Sequence, residues 1–412
     1  MTSNEAVTPG PARRGAGDGT GALAVALVVE QLRRPVAGGV GTYIRGLLRG
    51  LADRGEEGPP VDLELVASRA PGPGAWGRAR TSPPPDPLEG FGVPVRTSHL
   101  PGVLMTRAWS VGLAGITGAW DVVHTTSLAL PPVRRGPSGR PAPLVVTVHD
   151  LAWRRHPEAT TGRGRRWHEA SLRRALRRAR AFVVPSDLVA SDLVDAGAHP
   201  DSVVVVPEGC DHLPPPDTSG AAALLRSRGV DGPYLLTVGT QEPRKNLSRL
   251  AAAYGRARPS LPEPWPLVVV GPVGWGDPRL RPAGDAGGAA GGVVVVGAVP
   301  DAVLAALYAG ARVFASVPLT EGYGLPPLEA MAFGTPVVAS TGVPSIVLAP
   351  GAPPAALQVP AEDVAAIATA LVQAAVDGDT RSRLAAAGPA LARLRTWRRA
   401  AAAHVDLWAS LS

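Results

Sequence analysis

Two series of short apolar runs, each alternating with turns and helical repeats, follow one another along the chain. They are separated by Leu213-Pro-Pro-Pro-Asp-Thr-Ser-Gly220. Continuous apolar runs of strand length, without polar alternation, suit a parallel sheet buried on both faces. The first series reads as strands at Ala22 to Val29, Val61 to Ala67, Asp121 to His124, Leu144 to Val148, Phe182 to Pro185 and Ser202 to Val206. The second reads as strands at Tyr234 to Val238, Leu267 to Val270, Gly292 to Val296 and Val313 to Val317. Helices fall between them, with Ile44, Leu47, Leu48 and Leu51 sharing one face and Leu172, Ala175, Leu176 and Ala179 another; Leu247 to Arg256 and Asp301 to Gly310 follow. Strand–helix alternation on either side of a Pro-rich linker predicts an α/β chain with two facing Rossmann-like domains and a cleft between them. The expected division is 21–212, 213–395 and a final helix at 396–412, after a polar leader at 1–20 expected to be disordered. Trp397, Ala401, Val405 and Trp408 share a face of that final helix and require an apolar surface to cover.

Length and charge narrow the function. A chain of 412 residues is long enough for two cores. A net charge of +7 and a pI near 10.4 favour anionic partners such as nucleotides, phosphates or anionic lipid surfaces. Aromatic residues make up only 4%, and no stacking or base-reading motif is present, so no nucleic-acid partner is expected. The single cysteine, Cys210, excludes an intramolecular disulfide and any Cys-rich metal site. No run is long enough to span a membrane and none has signal-peptide character, so a cytoplasmic protein is expected. Arg163 to Arg180 carries eight Arg against one Glu, which makes either a solvated face or a peripheral contact with anionic membrane at its inner face.

Four stretches carry chemistry. In Pro318-Leu-Thr-Glu-Gly-Tyr-Gly-Leu-Pro-Pro-Leu-Glu-Ala-Met-Ala-Phe-Gly-Thr-Pro336, Gly322 and Gly324 permit a tight path and Pro326 and Pro327 suit a first helical turn. Free N–H groups at such a helix start form an anion site, so Glu321 and Glu329 must be aimed elsewhere, at sugar or ribose hydroxyls. Thr237-Val-Gly-Thr-Gln-Glu-Pro-Arg-Lys-Asn-Leu247 joins a strand to a helix and holds Lys245, the only lysine in the chain. A compact ammonium suits a point contact to a pyrophosphate oxygen, and Arg244 doubles the charge facing a diphosphate. Gly38 and Gly39 open a helix after the first strand, where backbone N–H groups can approach a phosphate or sugar. Ile44 stands where a dinucleotide fingerprint needs Gly or Ala, which argues against an oxidoreductase. His149-Asp150 closes a strand at the edge where open α/β sheets place their ligands.

As a set, these pieces resemble a retaining glycosyltransferase of the GT-B fold, family 4. The resemblance spans nearly all of residues 22–412: Gly38-Gly39, His149-Asp150, Val206-Pro-Glu-Gly-Cys-Asp211, Gly239-Thr-Gln-Glu-Pro-Arg-Lys-Asn246, Gly271-Pro-Val-Gly-Trp275, and Glu321 with Glu329. It implies two facing domains with the final helix crossing back onto the first. It also implies that Arg244 and Lys245 hold the donor diphosphate, Glu329 the ribose and Glu321 the donor sugar. Backbone N–H groups around Gly322, Tyr323, Gly324 and Leu325 would assist; Gly39 would approach the phosphate and His149 would sit by the sugar. No metal and no cofactor beyond the nucleotide-sugar donor is implied, and no Asp-x-Asp pair is present. Two departures stand out: Glu208 and Cys210 replace the family's Asn and Val, and Ser345 to Pro354 lacks the usual acidic residue. The Lys245 loop with Gly274-Trp275 is similar to the bacterial mannosyltransferase branch, so GDP-mannose is the first-choice donor, ahead of dTDP-rhamnose and UDP-glucose. The acceptor stays open among a glycan, a lipid-linked glycan and a small molecule. A non-catalytic sugar-nucleotide binder is the alternative from another class.

Overall fold

The computed structural model describes residues 21–34, 37–55, 57–70, 86–136, 139–263, 265–274, 292–347, 351 and 353–412. The leader at 1–20, much of the Pro/Gly stretch at 70–92, and Trp275 lie outside these residues. The first sheet holds β1 (Leu23–Val28), β2 (Val61–Arg69), β3 (Val95–Pro101), β4 (Val122–Thr125), β5 (Leu144–Thr147), β6 (Ala181–Val184) and β7 (Val203–Val205) in the order β3-β2-β1-β4-β5-β6-β7. The second holds β8 (Leu235–Val238), β9 (Leu267–Val270), β10 (Val293–Gly297), β11 (Val313–Ser316), β12 (Val337–Ser340) and β13 (Leu357–Val359) in the order β10-β9-β8-β11-β12-β13. Every named pairing is parallel.

Helices cover both faces of the first sheet: α1 (Gly38–Asp53), α2 (Gly102–Ser110), α3 (Ala152–Arg155), α4 (Gly162–Arg178) and α5 (Asp187–Asp195). Those of the second half are α6 (Thr218–Ser227), α7 (Leu247–Ala257), α8 (Asp301–Gly310), α9 (Leu325–Ala332), α10 (Val364–Val376) and α11 (Gly378–Ala392), and α12 (Trp397–Leu411) ends the chain. Along β1, Val25 and Leu27 join one apolar cluster while Ala26 and Val28 join another on the opposite face. That double burial is why the strand reads as one unbroken apolar run.

In each sheet the strand order reverses beside a central strand, between β1 and β4 and between β8 and β11. Loops diverge at such a switch point and leave a crevice at the strands' carboxyl ends. The loop carrying Lys245 follows β8, and the one carrying Glu321 follows β11. Gly271, with φ +135°, follows β9 where any Cβ would collide with the Gly239 carbonyl, so the Lys245 loop and the chain leaving β9 run in direct contact.

The last helix does cross back. Trp397 and Trp408 are fully buried, and α12 lies on α1, where a Cβ at Gly46 would strike the Trp397 ring and one at Gly50 the Trp397 backbone. β3, α2, α3, α6, β12, β13, α10 and α11 were not anticipated, and α6 begins at Thr218, inside the stretch read as linker. β3 is a largely exposed edge strand, Val-Arg-Thr-Ser-His-Leu-Pro, with no apolar run to reveal it. α10 is so rich in alanine and other apolar residues that it shows little polar contrast between its faces.

Candidate active site

After β8 the chain turns through Gly239, at φ +154°, and a short 3-10 turn over Pro243–Lys245. Asn246 follows with φ +57°, the one left-handed non-glycine residue among those described. Its side-chain amide donates to the carbonyls of Val317 (2.9 Å) and Ala361 (2.7 Å), which offsets the cost of that backbone and ties the loop to β11. A Cβ on Gly239 would lie within 3.6 Å of the Lys245 stem, so the lysine folds back over the glycine. The backbone joins the two site loops as well, the Leu319 N–H donating to the Arg244 carbonyl at 2.9 Å.

Glu321 is buried and receives both cations. Lys245 Nζ donates to Glu321 Oε1 at 2.5 Å and Arg244 donates to Oε2 at 2.8 Å. Arg244 also donates to Glu242 (2.8 Å) and to the Thr320 carbonyl (3.1 Å). Burial pushes the Glu321 carboxyl up, but Lys245 and then Arg244 outweigh it and hold it at about 2. Burial likewise works against the Arg244 charge, and Glu321, Asp150 and Glu242 overcome it. Glu321 and Arg244 therefore stay ionised against each other.

Glu329, on α9, is buried too. It accepts from the Tyr308 hydroxyl at 2.7 Å and pairs with His212 Nε2 at 3.2 Å. Between the two acids the loop is held from several sides. The Ser186 hydroxyl donates to the Gly322 carbonyl (2.6 Å), the Ser345 N–H to that of Tyr323 (3.0 Å), and the Ser345 hydroxyl to that of Gly324 (2.7 Å). Gly324, at φ +100°, then starts α9 at Leu325, with prolines in its first turn.

The first half meets this loop at His149. A Cβ on Gly322 would collide with the His149 carbonyl oxygen, so the two halves touch backbone to backbone here. The Tyr323 hydroxyl crosses the same boundary and donates to the Glu208 carbonyl at 2.9 Å. The His149 ring sits with Nε2 3.0 Å from the Thr126 carbonyl and Nδ1 3.4 Å from Glu208 Oε1. Burial lowers its pKa, but the Glu208 carboxylate and the Thr126 carbonyl outweigh burial and raise it above the ordinary histidine value. Tyr43 of α1 packs edge-on against the ring at 4.8 Å.

Arg244, Lys245 and Glu321 thus form one contact set, with His149 facing them across Gly322. Glu329 stands on the next helix. Gly38, at φ +58°, and Gly39 open α1, and a Cβ at Gly39 would meet nothing within 4 Å. The following residue, Val40, lines a cavity of about 570 Å³ that His149 also borders. Trp153, Trp167, Arg107 and Arg163 line the same cavity. Sequence reasoning missed the roles of Glu208, His212, Tyr43 and Tyr308. Glu208 carried a signal, since it was the departure from the family's Asn, but its partner lies on another strand's end.

Two parallel-sheet domains meeting at their switch points, with a half-buried cation pair on one side and a histidine on the other, define a GT-B glycosyltransferase. Residues 37–212 match the description "Glycosyltransferase Family 4" and residues 232–377 match "Glycosyl transferases group 1". The chain is 33% identical over 258 residues to an O-antigen chain mannosyltransferase B of Escherichia coli, covering 61% of this chain and 66% of that protein. It is 32% identical over 407 residues to a D-inositol 3-phosphate glycosyltransferase of Xylanimonas cellulosilytica, covering 90% of this chain and 92% of that one. Among solved structures, Anabaena HepE in complex with UDP and glucose superposes with a TM-score of 0.65 at 16% identity, over 94% of this chain and all of that one, a likeness of fold. The chain belongs to glycosyltransferase family 4.

Proposed function

We propose that the protein moves a hexosyl residue from a nucleoside-diphosphate sugar, GDP-mannose first, to a hydroxyl of a glycan, lipid-linked or small-molecule acceptor, with retention. The observation that carries this reading is the pair Arg244 and Lys245, held by the one carboxylate of Glu321 at a switch point facing His149. Cleaving the anomeric C–O bond sends its electron pair to the leaving diphosphate. Lys245, Arg244 and the α9 N-terminus stabilise that charge. The donor diphosphate draws the two cations from Glu321, which turns to the sugar hydroxyls, while Glu329 takes the ribose. Gly39 lets backbone approach the phosphate from the other side. The acceptor hydroxyl attacks the same face of the ring, and its proton passes to the departing phosphate oxygen.

The cavity beside His149, walled by Trp153 and Trp167, is the acceptor side of this reading. Aromatic faces suit the C–H faces of sugar rings. α2 and α4 flank its mouth, with Val103 53% exposed, Leu104 51% and Trp167 41%, beside exposed Arg163 and Arg166. An anionic membrane carrying a lipid-linked acceptor would meet this rim. Among the described residues no helix is long and apolar enough to cross a membrane.

The test is a thermal-shift panel of GDP, UDP, dTDP and ADP, followed by turnover of the matching sugar nucleotides. Stabilisation by GDP with release of GDP from GDP-mannose is expected. Stabilisation by dTDP or UDP alone would move the donor to rhamnose or glucose, and binding without turnover would favour a non-catalytic binder. Sedimentation with anionic liposomes, reversed by salt, tests the membrane contact.

A further inference from the structure

Immediately before the linker between the two halves stands a histidine, His212, that the mechanism above does not use. His212 is mostly buried, and each of its ring nitrogens has a different partner. Nε2 lies 3.2 Å from Glu329 Oε1, and Nδ1 lies 3.3 Å from Trp397 Nε1. An indole N–H can only donate, so Nδ1 must accept, and the neutral ring then carries its proton on Nε2, directed at Glu329. Arg49 of α1 holds the residue from behind by donating to the His212 carbonyl at 3.2 Å. The two residues before it are pinned to the start of α12 and the turn ahead of it: the Cys210 N–H donates to the Arg395 carbonyl (3.0 Å) and the Trp397 N–H to Asp211 Oδ1 (2.8 Å).

We propose that His212 is a positioning residue for donor binding: together with Tyr308 it fixes the carboxylate of Glu329, with Trp397 setting the tautomer that does so. The inference rests on the reading of Glu329 as the ribose ligand. Its chemistry is that of a ligating carboxylate oriented by fixed donors. Tyr308 takes one oxygen and His212 the other, which leaves the remaining lone pairs in one defined plane for two adjacent ribose hydroxyls. Tyr308 belongs to the donor-side half, whereas His212 closes the first half and Trp397 opens the helix that returns onto it. The ribose ligand is thereby aligned in part from across the domain boundary.

Calorimetry on the full-length protein, with whichever of GDP, UDP, dTDP and ADP binds most tightly, tests it. His212→Phe is expected to weaken that nucleotide roughly tenfold or more, the loss of one hydrogen bond to a charged group. His212→Gln, whose amide can still donate to Glu329, is expected to recover most of the loss. In a Glu329→Gln background, His212→Phe should cost nothing further, because its effect runs through that carboxylate. A melting curve accompanies each variant, and His212→Asn, too short to reach Glu329, replaces His212→Phe should that protein not fold. Unchanged affinity in His212→Phe while Glu329→Gln weakens binding would overturn the proposal, as would an equal penalty in both backgrounds. Wild-type affinity in Glu329→Gln would instead remove the donor-site reading, and this inference with it.

Discussion

Lys245 is the only lysine in the chain, and it holds one oxygen of Glu321 while Arg244 holds the other. The two contacts differ in kind. An ammonium folded back over Gly239 makes a point contact, and the planar fork of an arginine needs a wider seat. Lys245→Arg is therefore expected to lower turnover although the charge is kept. Lys245→Ala should lower it further, by about 2–4 kcal/mol of transition-state energy, as for a lost oxyanion donor. Both should melt as the wild type does, and full turnover in Lys245→Ala would remove the diphosphate role. Glu321→Gln makes the complementary case. Without its charge the cations lose their resident anion, so nucleotide diphosphate should bind as tightly as before or more tightly, while turnover falls; calorimetry beside a turnover assay separates the two.

At the scale of elements, α1 does two things at once. Its N-terminal turn lines the cavity beside His149 through Val40, and its glycines further along admit α12. Gly46 and Gly50 lie one turn apart, and a side chain at either would strike Trp397. Gly46→Val should cost about 1–3 kcal/mol by overpacking, since any gain in helix propensity over glycine is smaller. A lower melting temperature checks this, and an unchanged one would mean that α12 shifts freely. The same helix pair holds a buried polar chain. Tyr43 meets His404 at 2.8 Å and Thr147 at 3.0 Å, while His124 meets Thr147 at 2.8 Å and accepts from the Trp408 indole at 3.2 Å.

For the whole molecule, two consequences follow from how the halves meet. Burial lowers the pKa of His404 from 6.5 to about 4 and puts that of His124 well below its ordinary value, the nearby His404 and His149 adding to the effect. Both are neutral in the folded protein, whereas the unfolded chain takes up protons below about pH 6.5. Their contribution is complete above that pH and is lost as pH falls toward 4, by on the order of 3 kcal/mol for His404 alone. Melting temperature measured from pH 7 to pH 4 should fall steeply, and His404→Gln should flatten the slope. The second consequence lies in the cleft. Gly322→Ala would push the Glu321 loop off the His149 carbonyl, and a misplacement of about 1 Å can cost on the order of a hundredfold in turnover. Nucleotide affinity should fall less than turnover, because Arg244, Lys245 and Glu329, the side chains proposed to hold diphosphate and ribose, stand on the second half. Normal turnover in this variant would show that backbone contact at Gly322 is dispensable.

Local sequence carried the two α/β series, the glycine turns and the cation loop, because continuous apolar runs and Gly or Pro punctuation reflect nearby backbone requirements. The left-handed backbone of Asn246, tied to Val317 and Ala361, was not legible. Tertiary structure alone decided which charges meet. Lys245 finds Glu321 across 76 positions, and Tyr43 finds His404 across 361. Periodicity has no means of expressing such pairings, since each partner looks locally like an ordinary cap, loop or helix residue. Glu208 beside His149, His212 between Glu329 and Trp397, and Gly322 against the His149 carbonyl exist only once two sheets face each other and the last helix has returned across them.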